Sequence, residues 1–255
     1  MIKELAKNLE IIHNIFEALL PPLQNTQKRV SIIRIPATAE EYASYVSENY
    51  LWTSGIWMPE KKELVIKPQE WGSNKEQKNA ILSTTYHEAF HQYLHYLVFP
   101  FTTSAWFNEG FASFFGSAVI NNNQLIIKED EQLTAKLLEI LERKNLYLDP
   151  ILSMTYEQFY DQNPSKRHEN YALAWGIIYF LQRGALVMTD TKNPYQLIIP
   201  RYLSKLIETG SPETATEFAF SGIDKRIFHT AFSSFWKSRN KRAEARHLPA
   251  IQIKK

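Results

Sequence analysis

The chain contains no cysteine. Disulfides and thiolate metal ligands are therefore excluded, and any bound metal must be held by nitrogen and oxygen. A cysteine-free chain suits the cytosol and the exterior equally, so the localisation stays open. Neither sign of charge dominates: 29 Lys and Arg against 27 Asp and Glu leave a net charge of +2. With no basic stripe interleaved with aromatics, nucleic acid is not expected as a partner. Long hydrophobic runs are also lacking. The longest, such as residues 171–181, are too short and too interrupted to span a bilayer. The first twenty residues read as an amphipathic helix, not as the continuous apolar core of a signal peptide, although a trimmed chain would look the same. There is no internal repeat and no low-complexity linker, and nothing speaks to an oligomeric state.

What is present describes an ordinary globular chain, 44% hydrophobic and 22% charged, long enough at 255 residues for one large domain or two lobes. Its 15 Phe, 13 Tyr and 6 Trp point to a well-filled aromatic core. After the first helix, Pro21-Pro22 breaks the chain. Residues 28–35 read as a strand and 39–48 as a short helix capped by Thr38. Residues 53–58 and 63–67 form a hairpin across Pro59-Glu60-Lys61-Lys62. A long helix, capped by Ser73 or Asn74, runs to about Val98 before Pro100 stops it. A second runs from near Ser104 to about Ile120. Beyond an Asn121-Asn122-Asn123 turn and a β-like piece at 124–127 the chain is mainly helical, over 130–144, 166–182, 195–208, 212–220 and 225–239. Residues 243–255 read as a tail. The fold class is α+β: a small twisted sheet packed on a helix, then a helical lobe. We treat 1–255 as a single domain with sub-lobes 1–100 and 101–255.

The long helix carries His87-Glu88-Ala89-Phe90-His91. At about 100° per residue the two histidines lie roughly 40° apart and one turn along, so both imidazoles face one way. Two neutral imidazoles at i and i+4 can share one metal ion, and the carboxylate between them is placed to take a proton from an attacking water. A third protein ligand is still needed. His95 is carried too far along the same helix axis, so it is expected to support a ligand or to pack rather than to bind the metal. Glu109, in Trp106-Phe107-Asn108-Glu109-Gly110-Phe111-Ala112-Ser113, is the better choice. Its helix face carries Ala112, Ser113 and Gly116, small residues that permit close approach. Two His and one Glu with an open fourth position is the donor set of catalytic Zn²⁺ rather than structural zinc, and the absence of sulfur favours zinc over its competitors.

His87-Glu88-x-x-His91 followed by Asn108-Glu109-Gly110-x-Ala112 resembles the gluzincin superfamily of zinc metallopeptidases, in its thermolysin and alanyl-aminopeptidase branch (peptidase-MA-like domains). The Ser54-Gly55-x-Trp57 hairpin upstream resembles a small bacterial subfamily of it, and the matching region covers residues 30–181. The resemblance implies a thermolysin-like catalytic fold. It gives His87, His91 and Glu109 to zinc and makes Glu88 the general base. It also implies a downstream Tyr or His that stabilises the tetrahedral oxyanion, a place that Tyr171 or His168 would fill.

One departure bears on substrate class. Aminopeptidases of this type carry a Gly-x-Met-Glu-Asn strand whose Glu binds the free amine. Here Gly55-Ile56-Trp57-Met58-Pro59-Glu60 offers Met58 or Pro59 in its place. The expected activity is zinc-dependent hydrolysis of internal bonds in a peptide or protein substrate. The alternatives are an aminopeptidase with another amine anchor, such as Glu60 or Glu63, and a non-catalytic zinc-containing binding protein.

Overall fold

A computed structural model describes residues 2–21, 32–68, 74–122, 124–143, 147–188 and 193–249. The chain divides into two units: Met1–Leu97 with Phe115–Ile126 and Ala250–Lys255, and Val98–Phe114 with Ile127–Pro249. The class is α+β, mostly helical with a three-stranded and a two-stranded sheet. None of the described helices is long and apolar enough to cross a membrane.

The first unit opens with α1 (Ile2–Leu19). Its Leu5, Ile12, Ile15 and Phe16 recur at helical spacing and are buried. Fully burying such side chains contributes about 1.5–3 kcal/mol each. There follow β1 (Ile32–Arg34), α2 (Ala39–Tyr45), β2 (Gly55–Met58) and β3 (Glu63–Ile66). Residues 28–31 of the expected first strand lie outside the described residues. Thr38 caps α2 by accepting from Glu41 N, and the expected last turn of that helix is instead a separate 3-10 turn at Glu48–Tyr50. β3 is central, parallel to β1 and antiparallel to β2, with Ile56 opposite Val65 and Met58 opposite Glu63.

Alternation divides the sheet into two faces. Ile56, Met58 and Val65 pack on Tyr42, Tyr45 and Val46. Glu63 shares that face, taking two hydrogen bonds from Arg34 at 2.8 and 2.9 Å and one from the Tyr45 hydroxyl at 2.5 Å. Gly55, Trp57, Leu64 and Ile66 occupy the opposite face.

That opposite face meets α3 (Lys75–Val98), a run without Gly or Pro. Asn74 starts it, its Oδ1 accepting from Gln77 N at 2.9 Å; Ser73 lies outside the described residues. α1 packs on α3: Asn8 Nδ2 donates to Tyr86 Oη at 2.9 Å, the Tyr93 hydroxyl donates to Leu20 O, and the Phe16 ring meets Phe90 edge-on at 5.4 Å.

The next helix, α4 (Ala105–Gly116), is shared. Its residues up to Phe114 belong to the second unit, and Phe115 and Gly116 to the first. The helix expected to reach Ile120 stops four residues earlier. Ala118–Asn121 is β4, paired with β5 (Gln124–Ile127) around Asn122 at φ 49°. The β-branched pair Val119-Ile120 favours the strand.

The rest of the second unit is helical: α5 (Glu131–Leu141), α6 (Asp149–Ser153), α7 (Tyr156–Phe159), α8 (Pro164–Gln182), α9 (Ile198–Thr209), α10 (Pro212–Phe220), α11 (Lys225–Lys237) and α12 (Arg239–His247). α8 is the buried axis, with Trp175 against Trp236 at 5.0 Å. Gly176 lets Leu137 of α5 approach, and a Cβ there would stand 2.5 Å from Leu137 Cδ2. The expected tail from Ala243 is in fact helical through His247. Arg183 donates to the carbonyls of Ala245, Leu248 and Pro249, and Glu129 accepts from Arg242 and Arg246. Residues 250–255 of that tail lie outside the described residues.

Candidate metal centre

On α3, His87 and His91 lie one turn apart with ring centroids 4.7 Å from each other and planes at 81°. Both are half-buried, and Glu88 is buried at 7% exposure. Each of the three offers a ligand atom, and these atoms lie within 4.8 Å of one another. Among the described residues no other group of three such side chains comes together in this way. Two imidazole nitrogens and a carboxylate, with no sulfur, suit a borderline divalent cation.

Two backbones crowd this part of α3. A Cβ on Gly55 of β2 would stand 2.8 Å from Thr84 Cγ2 and 3.0 Å from Glu88 Cγ. Only a residue without a side chain lets the strand lie so close to the acid. A Cβ on Gly116 would stand 3.4 Å from Ser83 O and 3.6 Å from His87 Cβ, ordinary contact. Tyr42, its hydroxyl 2.8 Å from Thr53 Oγ1, has its phenol pushed up by burial. The hydrogen bond with Thr53 opposes that rise, and the nearby Glu88 charge adds to it. His95 packs its ring on Trp57 at 5.9 Å and on Tyr96 at 5.3 Å, one of the two roles expected of it.

Glu109 belongs to the second unit and is buried at 1% exposure. The crossing of α4 over α8 sets its place. A Cβ on the adjacent Gly110 would stand 2.6 Å from Ala174 O, so glycine is what permits that crossing. The Tyr160 hydroxyl donates to Glu109 Oε1 at 2.5 Å, and Asn108 Nδ2 donates to Tyr156 Oη at 2.8 Å. Thus two neighbours on α4 each meet a tyrosine, and those tyrosines are one turn apart. Burial, then the Glu109 charge, holds the Tyr160 phenol well above its usual range, so it remains a donor. Burial likewise pushes Tyr156 up to about 12, against the pull of its hydrogen bonds with Thr103 and Asn108.

Tyr171 and His168 both lie on α8. Tyr171 is two turns inside the helix, half-buried, with its ring on Phe159 at 5.1 Å. His168 is half-buried in the turn before it. Sequence reasoning passed over Tyr160. No local pattern singles it out, since its partner Glu109 lies 51 residues away in the chain.

Residues 81–189 match the sequence model of a family described as "Protein of unknown function (DUF1570)". That span holds His87, Glu88, His91, Glu109, Tyr160, His168 and Tyr171. No curated protein and no solved structure matches the chain.

Proposed function

We propose that this protein is a zinc-dependent peptidase of gluzincin type, acting on internal bonds of an extended peptide. The observation that carries the reading is the His87, Glu88 and His91 group, whose ligand atoms lie within 4.8 Å of one another on one half-buried face of α3. His87 and His91 would hold the ion, with Glu109 as third ligand on the strength of the Asn108-Glu109-Gly110-x-Ala112 pattern. When bound, zinc supplies Lewis acidity and lowers the pKa of water towards about 7. Glu88 accepts the proton of the attacking water and returns it to the leaving amine. Tyr171 or His168 donates to the oxyanion, as the resemblance implies.

Two further observations support a peptide substrate without a dedicated amine anchor. Among the described residues β2 is an edge strand, and it lies against Glu88, so an extended peptide could add to it through main-chain hydrogen bonds. Glu63 is already committed to Arg34 and Tyr45 on the other face of the sheet, which weakens it as an amine anchor.

Glu88→Gln tests the reading. It should keep zinc at one equivalent and lower peptide turnover by about two to four orders of magnitude. Turnover near that of the parent protein, or no hydrolysis of a broad peptide library by the zinc-loaded parent, would defeat the peptidase reading. Silence with zinc bound would favour the non-catalytic alternative.

A further inference from the structure

We infer that Tyr160 is a positioning residue for the metal centre: its hydroxyl fixes the carboxylate of Glu109 in the orientation that binds zinc. The inference rests on the proposed ligand set above.

The argument begins with Glu109. The terminal torsion of a glutamate is broad and two-fold, so packing alone does not decide where its two oxygens point. A hydrogen bond to one oxygen does, and the 2.5 Å contact from Tyr160 to Oε1 is of the charge-assisted kind.

The donor is itself held. Tyr160 closes α7, its amide donating to Tyr156 O at 2.9 Å. A capping box between Thr155 and Gln158 fixes the start of that turn. Buried Asn170 of α8 fixes its end, donating through Nδ2 to Phe159 O at 2.9 Å and Gln158 O at 3.3 Å. Phe159 is fully buried, which leaves the segment little freedom to shift. This amounts to a rigid arm for one hydroxyl. A group in direct contact with a ligand's second oxygen commonly governs metal affinity tenfold to a hundredfold.

Tyr156 provides an internal control. It sits one turn earlier on the same arm but meets Asn108, which is not a proposed ligand.

The test uses the full chain and zinc alone. Zinc affinity is measured by competition with a chromophoric chelator for the parent protein, Tyr160→Phe, Tyr156→Phe, Glu109→Gln and the Tyr160→Phe/Glu109→Gln pair. Thermal unfolding of the metal-free proteins checks folding. Tyr160→Phe should weaken zinc about 10- to 100-fold and shift the visible spectrum of the cobalt-substituted protein. Tyr156→Phe should do neither. In the Glu109→Gln background, removing the Tyr160 hydroxyl should change zinc affinity little further, because the carboxylate it orients is gone.

Parental zinc affinity and cobalt spectrum in Tyr160→Phe, with Glu109→Gln impaired, would overturn this inference and leave the ligand set standing. Parental affinity in Glu109→Gln would overturn both. An unchanged affinity combined with a collapse of peptide hydrolysis in Tyr160→Phe would also overturn it, since the hydroxyl would then act on substrate instead.

Discussion

Gly55 approaches Glu88 so closely that a methyl group added to it would stand 3.0 Å from the acid's Cγ and 2.8 Å from Thr84 Cγ2. Side chains almost never approach so closely, so Gly55→Ala must displace the strand, the Thr84 methyl or the acid. A misplacement of about 1 Å can cost roughly 10²-fold in rate. We expect Gly55→Ala to lower kcat/KM about 10- to 100-fold while zinc content stays at the parental level. Parental kcat/KM in a correctly folded variant would mean that the strand or Thr84 gives way without moving Glu88.

Metal should act as a folding ligand. A ligand that binds only the folded state at a hundred times its Kd adds about 2.7 kcal/mol of stability. For a protein of this size that corresponds to a rise in Tm of roughly 5–10 °C. Excess zinc should produce such a rise in the parent protein, a chelator should reverse it, and His91→Ala should abolish it. Scanning calorimetry of the two proteins with and without zinc reads all three effects.

Glu63 should carry an acid-sensitive share of stability. Its hydrogen bonds from Arg34, and then from Tyr45, hold its carboxyl at about 2, below the ordinary 4.5. A carboxyl depressed on folding stabilises above its unfolded pKa, and that stabilisation is lost as pH falls through the folded value. The contribution is therefore complete above about 4.5 and disappears towards pH 2. Urea unfolding of the parent and Glu63→Gln at several pH values should show a gap that closes across this window. A gap that stays constant would remove Glu63 from the acid response.

The crossing of α4 over α8 can be tested at Gly110. Alanine in a helix interior normally stabilises by about 1 kcal/mol relative to glycine. Here the added methyl would lie 2.6 Å from the backbone oxygen of Ala174. Overpacking of that kind typically costs about 1–3 kcal/mol. The clash is with backbone and cannot be relieved by a rotamer change, so it should win. Gly110→Ala should lower the urea midpoint, and a higher midpoint would contradict the crossing.

Much of this molecule was legible from local rules. α3 could be read from a long run without Gly or Pro, and α10 from Ser211 and Pro212 at its start. The shared face of His87 and His91 followed from their i, i+4 spacing. What escaped depends on distant partners. α12 looked like a polar tail because Arg242 and Arg246 find Glu129 more than a hundred residues away. β4 was read as the continuation of a helix because Ala118 and its apolar neighbours suit either state when taken alone. Tyr160 stayed hidden for a similar reason. Among 13 tyrosines, only the packing of α7 beside α4 singles out the one that meets Glu109.

The order of the three-stranded sheet sets an order of assembly. β2 and β3 are joined by a short turn and can zip locally, on the microsecond scale of a hairpin. β1 pairs with β3 in parallel, Ile32 opposite Glu63, and must first close a loop that takes in α2 and the whole of β2. Non-local closure of this kind is the slow event. On these scales the hairpin that places Gly55 beside Glu88 is expected to form before Arg34 reaches Glu63. The ion pair serves as a late latch on the back of the sheet, closing behind the face that lies against Glu88.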